Sequence, residues 1–111
     1  MNHELLSRAL KACPVPDGDK WVLRCYDDGF DWRTHDNTKA RDCSDFDAHN
    51  AMTARWLGWL IEQGYDPMFL HNKGMVVVQI LNCHKGNLND CVGDTPVESL
   101  AAAIIAVSEA K

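Results

Sequence analysis

The sequence predicts a single domain of the α+β class, in which a small antiparallel sheet of about four strands packs with helices in the order α-β-β-α-β-β-α. Two pairs of strand-like segments are each joined by a very short connection, which forces antiparallel neighbours. Three segments with helical apolar spacing precede, separate and follow these pairs. With 111 residues, a hydrophobic share of 46% and four tryptophans, the chain is large enough for one core, so we expect residues 1–111 to form one domain.

The first helix is predicted at the N-terminus, with Asn2 as its candidate N-cap. The run Cys13-Pro14-Val15-Pro16 ends this helix, because a residue that precedes proline is disfavoured in the α region. Four residues at helical spacing are expected to face the core: Leu6, Ala9, Leu10 and Cys13.

The first strand pair is predicted next. One strand covers Trp21–Tyr26, and Asp27-Asp28-Gly29 offers a hairpin turn into a second, short strand, for which a loop is the alternative. The alternation of the second strand puts Phe30 and Trp32 on one face. Residues 34–43 have no periodicity and almost no apolar side chains, so they are predicted to form a polar loop.

A long amphipathic helix is predicted after this loop. Ser44-Asp45-Phe46-Asp47 has the form of a capping box, and Gly64 closes the helix as its C′ residue. The expected buried face holds Phe46, Thr53, Trp56, Leu57, Leu60 and Ile61. A stripe on the border of that face holds Ala48, Met52 and Trp59.

The second strand pair and the last helix complete the chain. Residues 65–71 contain Pro67, which cannot donate a backbone hydrogen bond, so this strand is expected either to lie at a sheet edge or to begin only after Pro67. A turn at residues 72–74 leads to Met75–Leu81, which is apolar on both faces, as a central strand would be. Residues 82–94 are predicted to be a loop, and Thr95-Pro96-Val97-Glu98 is a strong helix start. The buried positions expected in the last helix are Leu100, Ala103, Ile104 and Val107.

The composition disfavours several classes of function. The net charge of −5 opposes nonspecific binding to nucleic acid or to an anionic membrane. No apolar run approaches the roughly 20 residues that span a bilayer, and no targeting signal is visible. Five cysteines without an export signal are most simply reduced thiols in a cytosol.

Most of the negative charge lies in one stretch. Residues 27–47 hold seven aspartates and three cationic residues, which gives this stretch a net charge of −4. Acidic residues beside aromatic and methionine side chains resemble an interface with apolar anchors and a charged rim. We therefore expect partner binding without catalysis, and without a metal or cofactor. The candidate binding residues are Asp27, Asp28, Asp31, Trp32, Asp36, Asp42, Met52 and Trp59.

The alternative hypothesis is a small metal-dependent or thiol-dependent enzyme. Its candidate residues are Cys43, His49, Cys83, His84 and Cys91, which supply enough sulfur and nitrogen ligands for a zinc ion. No C-x-x-C pair is present, however, and the aspartates around Cys43 would raise the pKa of its thiol. No P-loop or dinucleotide-binding motif is present either.

Several stretches together resemble the phage ABA sandwich domain, a group of small phage and prophage proteins. They are LLSRALKACPVP, SDFDA at the start of the long helix, Gln63-Gly64-Tyr65 at its end, VVVQI, and GDTPVESLAAAI. The first hairpin and residues 34–43 depart from this pattern. The resemblance implies a phage or prophage origin and a layered fold, and it carries over no catalytic residue. The leading hypothesis is thus an accessory protein in the host cytoplasm that binds a host or phage protein, with a counter-defence role of the anti-CRISPR type.

Overall fold

A computed structural model describes the backbone of residues 2–72, 75–81 and 91–109, and the side chains of residues 2–69 and 93–109. The predicted α+β class is confirmed. The helices are α1 (His3–Ala12), α2 (Asp45–Glu62) and α3 (Pro96–Glu109). The strands are β1 (Pro16–Asp17), β2 (Trp21–Tyr26), β3 (Gly29–Thr34), β4 (Ala40–Cys43), β5 (Asp66–Asn72), β6 (Met75–Leu81) and β7 (Cys91–Gly93).

The four predicted strands are all present, and they lie in two antiparallel sheets with three shorter strands added. The first sheet has the order β1-β2-β3-β4 and the second the order β5-β6-β7. In the second sheet β5, which contains Pro67, is an edge strand and β6 is the central one, as predicted. Residues 73–74 of the predicted turn, and residues 82–90 of the predicted loop, lie outside the described residues.

The prediction of a loop over residues 34–43 was wrong for its second half. Ala40–Cys43 forms β4, which pairs antiparallel with β3. The three residues that begin β4 are exposed, so backbone hydrogen bonding rather than apolar burial holds this edge strand in place. A strand of this kind has no hydrophobic alternation for a sequence reading to detect. β7 was missed in the same way, since it is a three-residue strand inside the predicted 82–94 loop.

The helix ends follow their capping residues. The side chain of Asn2 accepts a hydrogen bond from Leu5 N at 3.1 Å, and that of Ser44 accepts one from Asp47 N at 3.1 Å. Gly64 follows α2 with a φ of 89°, the left-handed conformation that favours glycine. At the start of α3, the Thr95 hydroxyl accepts a hydrogen bond from Glu98 N and donates one to the Glu98 carboxylate. These contacts confirm the predicted caps.

The predicted orientation of α2 was only partly right, since Trp56 and Leu60 are buried as expected but the buried face is rotated towards Ala48 and Met52. Phe46 and Ile61, which were expected inside, are 75% and 62% exposed. The residues that face the core are Ala48, Met52, Trp56 and Leu60. Large apolar side chains cover much of the circumference of this helix, so their spacing does not select one face. The indole N–H of Trp56 donates to the backbone oxygen of Cys13 at 2.9 Å, and this buried hydrogen bond helps to fix the observed rotation.

One continuous cluster of buried side chains joins the three helices to the first sheet. All four core positions predicted for α3 belong to it. β7 approaches α3 so closely that a Cβ at Gly93 would lie 2.7 Å from Ser99 N, which requires glycine at this position.

Candidate functional site

The two faces of β3 have opposite character. Phe30, Trp32 and Thr34 point to the core and are buried, whereas Asp31 and Arg33 alternate with them on the outer face. Arg33 forms an ion pair with Asp31 at 3.0 Å and lies over the ring of Tyr26. Residues paired directly across neighbouring strands share a face, so the outer face also carries the partners of Asp31 on both sides.

Three elements bring acidic side chains to one end of this sheet. The turn between β2 and β3 consists of Asp27 and Asp28, because Tyr26 pairs with Gly29. Asp31 pairs directly with Asp42 across β3 and β4. The chain then enters α2, whose first turn carries two further aspartates. We call the following group the acidic end: Asp27, Asp28, Asp31, Asp42, Asp45 and Asp47.

Two cysteines, Cys25 and Cys43, flank Phe30 on its two neighbouring strands and lie close to these carboxylates. Burial raises the pKa of the Cys25 thiol above its ordinary value, and Asp27 and Asp45 raise it further. Burial likewise raises the pKa of Cys43, with Asp47 and then Asp31 adding to the effect against an opposing contribution from Arg41. The turn, the strand pair and the start of the helix therefore contribute to one negative field.

This negative charge is largely uncompensated. Within residues 2–69 and 93–109, Asp31 is the only member of the acidic end that forms an ion pair. Its second carboxylate oxygen, Oδ1, is buried and accepts no hydrogen bond from any described group. Asp31 also faces Asp42, and like charges directly opposite each other destabilise a sheet. The Asp31–Asp42 pair is thus poorly explained as a stabilising feature of the fold.

The structure separates Asp36 from the other predicted acidic residues. Asp36 lies in the connection between β3 and β4, at the opposite end of a strand that spans roughly 17 Å. Its Oδ1 accepts hydrogen bonds from the hydroxyls of Thr34 and Thr38, at 2.6 and 2.7 Å, and from Thr38 N at 3.1 Å. The hydrogen bonds from Thr34 and Thr38 lower the pKa of Asp36 from 3.8 to about 2. This carboxylate therefore orders its own turn.

The predicted apolar anchors are also placed differently. Met52 is completely buried and Trp32 is 9% exposed, so the interpretation of these two side chains as surface anchors was wrong. Met52 is drawn into the core by the rotation of α2, and Trp32 by the inward register of β3. Trp59 is partly buried and packs against the core cluster.

Trp32 takes part in a second charged cluster, on the inner face of the sheet. The guanidinium of Arg41 lies 5.0 Å from the ring centre of Trp21 and 5.5 Å from that of Trp32. Arg41 also forms an ion pair with Asp17, on the opposite edge strand of the same sheet. Lys20 approaches the Trp21 ring to 5.6 Å. We call Asp17, Trp21, Trp32, Asp36 and Arg41 the paired end, because each of its charged groups has a described partner.

Sequence reasoning missed three residues of this region. Asp45 and Asp47 were counted in the acidic stretch but, as capping residues, were left out of the candidate binding residues, and Phe46 between them was expected in the core. Phe46 is instead exposed beside the acidic end. The position of Phe46 in the first turn of α2, between two aspartates, is a sequence signal that could have predicted its exposure. Both aspartates are exposed in the structure.

The residues of the alternative hypothesis are only partly described. The ring of His49 packs edge-on against Phe30 at 5.8 Å, and Cys43 has the raised pKa noted above. The side chains of Cys83, His84 and Cys91 lie outside the described residues. Within the side chains that are described, no three histidine, cysteine, aspartate or glutamate residues are grouped so that they could share a metal ion.

Comparison of the chain with protein-family models, with curated proteins and with solved structures gives no match. In the described part of the chain, no helix combines the length and apolar character needed to cross a membrane.

Proposed function

We propose that this protein acts by binding another protein through its acidic end and catalyses no reaction. The partner presents lysine and arginine side chains, because electrostatic complementarity is what a cluster of uncompensated carboxylates offers. We further propose the setting implied by the resemblance to the phage ABA sandwich domain. In that setting the protein is a phage or prophage accessory protein, its partner is a host or phage protein, and it acts in counter-defence.

The observation that carries this proposal is the unpaired state of the acidic end. Five of its six carboxylates have no described cationic partner. The sixth, that of Asp31, pairs with Arg33 through one oxygen, and its other oxygen accepts no described hydrogen bond. Arg24 and Arg33 are the cationic residues on the outer face nearest to Asp31 in the register. When these two arginines are counted with the six aspartates of the acidic end, the net charge is −4. A basic partner would remove the Asp31–Asp42 repulsion that the free protein retains.

The described thiols favour binding over thiol chemistry. Burial raises the pKa of Cys13, Cys25 and Cys43, so each is less ionised at neutral pH than an ordinary cysteine. A nucleophilic cysteine needs the opposite, a lowered pKa in an electropositive setting. Cys43 lies instead beside the acidic end.

Affinity capture from bacterial lysates, with three forms of the protein, tests the proposal. The acidic-end variant carries Asp27→Lys, Asp28→Lys and Asp42→Lys. The control variant carries the same change at Asp19, Asp66 and Asp94, which are equally exposed but lie elsewhere. The two variants have the same net charge, so a difference between them reports position rather than total charge.

We expect one protein to be retained by the wild-type and control forms and lost by the acidic-end variant. Its affinity for the acidic-end variant should fall at least about ten-fold, and binding should depend less on salt. Retention of the same proteins by both variants would contradict the proposal, as would the failure of every host lysate tested to yield a partner.

A further inference from the structure

A stripe of side chains runs along one side of α2. It is apolar and exposed at its two ends, whereas Leu57 within it also packs against the core cluster and Asn50 and Thr53 within it are polar. Phe46, Thr53, Leu57 and Ile61 fall within about 80° of one another around the helix axis. The stripe begins at Phe46, which is 75% exposed, and ends at Ile61, which is 62% exposed. Thr53 and Leu57, between them, are partly exposed. The stripe extends for about 22 Å at 1.5 Å per residue.

The polar groups along this stripe place few demands on a partner. The hydroxyl of Thr53 donates to the backbone oxygen of His49 at 2.8 Å, so its O–H needs no acceptor from a partner. Asn50 is the one other polar side chain that shares the stripe by its helical position, and it is exposed. A straight apolar stripe of this length matches the apolar face of a second helix, which meets such a surface with residues at helical spacing.

The charges around the stripe select the kind of helix. Asp45 and Asp47 stand on either side of Phe46, and Glu62 follows Ile61. The one basic residue of α2, Arg55, lies roughly 160° from the centre of the stripe, and its side chain interacts with Cys13. A second copy of this chain would bring the same negative residues to both ends of the contact, which opposes self-association.

We infer that the Phe46–Ile61 stripe docks an amphipathic, basic helix of the partner protein. The inference rests on the proposed function and deepens it, because it adds the apolar anchor that the acidic end lacks once Trp32 and Met52 are placed in the core. The partner helix lays its apolar residues along α2, and its lysines and arginines reach the acidic end beside Phe46.

Synthetic peptides of about 18 residues, long enough to cover the stripe as a helix, provide the test. The first probe contains leucine at helical spacing on one face and lysine elsewhere. The second has the same composition with the leucines distributed around the helix, and the third replaces lysine with glutamate. Binding is measured by fluorescence anisotropy of labelled peptide at about 0.15 M salt, where distant charges are screened.

The protein variants separate apolar docking from charge. Phe46→Ser combined with Ile61→Ser removes both exposed ends of the stripe. Met68→Ser is the matched control, since Met68 is an exposed apolar residue (42%) on β5. Circular dichroism melts establish that each variant folds.

We expect the amphipathic lysine peptide to bind at least about ten-fold more tightly than either of the other peptides. The double serine variant should lose at least about ten-fold in affinity, and Met68→Ser should change it less than about two-fold. Equal binding of the two lysine peptides, or indifference to the double serine variant, would overturn the docking inference. If the docking inference failed in this way but the Asp→Lys acidic-end variant still weakened binding, the proposed function would stand without the docking inference.

Two other outcomes are equally decisive. Dependence on the stripe without dependence on the acidic end would overturn the charge-based proposal and the basic character of the partner. Sedimentation that shows a dimer of the wild-type chain, converted to a monomer by the double serine variant, would assign the stripe to a second copy and overturn the inference.

Discussion

The acidic end and the paired end of the four-stranded sheet differ in whether their charged side chains have partners. In the paired end, Arg41 lies on the inner face next to Asp42 of β4, approaches two indole rings and pairs with Asp17, and Asp36 accepts three hydrogen bonds. At the acidic end, two aspartates oppose each other across the β3–β4 pair and one ion pair is described. Charge at the paired end stabilises the free protein. At the acidic end, Asp31 and Asp42 repel each other across the strand pair, whereas Asp45 and Asp47 lie in the first turn of α2, where the helix dipole favours negative charge.

Both ends of the sheet rest on a common core that includes Met52. Truncating this fully buried side chain with Met52→Ala should destabilise the protein by about 2–5 kcal/mol through lost burial and a cavity. Chemical denaturation gives the change in the free energy of unfolding. Phe46→Ala, on the same helix, should have a much smaller effect because Phe46 is mostly exposed. Comparable losses from the two substitutions would show that the rotation of α2 differs from that described.

The burial of Met52 also shows which features of a helix can be predicted from sequence and which cannot. Helix ends were predictable, because Asn2, Ser44 and Thr95 act through hydrogen bonds to residues a few positions away. The rotation of α2 was not, since it depends in part on the hydrogen bond between Trp56 and Cys13, 43 residues apart in sequence. Local chemistry is readable from a sequence window, whereas long-range contacts are decided by the whole fold.

The candidate site was predictable to a similar degree. The clustering of Asp27, Asp28, Asp31 and Asp42 follows from a short hairpin and its next strand, so their proximity in sequence became proximity in space. Asp36 is as close in sequence but lies in the turn at the other end of β3. The residue pattern does not predict β4, so it cannot show that Asp36 and Asp42 lie at different ends of β3.

Arg41→Ala is expected to have the largest effect among substitutions at the two ends. It removes two cation–π contacts and an exposed ion pair, so the free energy of unfolding should fall by about 1–2 kcal/mol. Urea denaturation at neutral pH measures the change. Arg41→Lys keeps the charge but loses the planar stacking group, and it should recover only part of the loss. If Arg41→Ala left stability unchanged, the paired end would not differ energetically from the acidic end.

Asp42→Asn should have a smaller effect of the opposite sign. Removing one of two like charges that face each other across β3 and β4 should stabilise the protein by about 0.2–1 kcal/mol at low salt. The gain should shrink as salt is added, because screening weakens the repulsion in the wild type. Asp19→Asn, an exposed aspartate near the paired end, is the control and should bring no comparable gain. Destabilisation by Asp42→Asn would mean that this carboxylate has a stabilising partner.

The smallest and most specific effect concerns the pH dependence of stability at Asp36. Hydrogen bonds from Thr34 and Thr38 lower the pKa of this carboxyl from 3.8 to about 2 in the folded protein. A lowered folded-state pKa means that the unfolded chain binds the proton first as the pH falls, so the stabilisation is complete above about pH 4 and disappears towards pH 2. The difference in stability between the wild type and Asp36→Asn should therefore narrow across this window. A stability difference that stayed constant across this window would show that the hydrogen bonds to Asp36 do not stabilise its turn, and the distinction between the two ends would be lost.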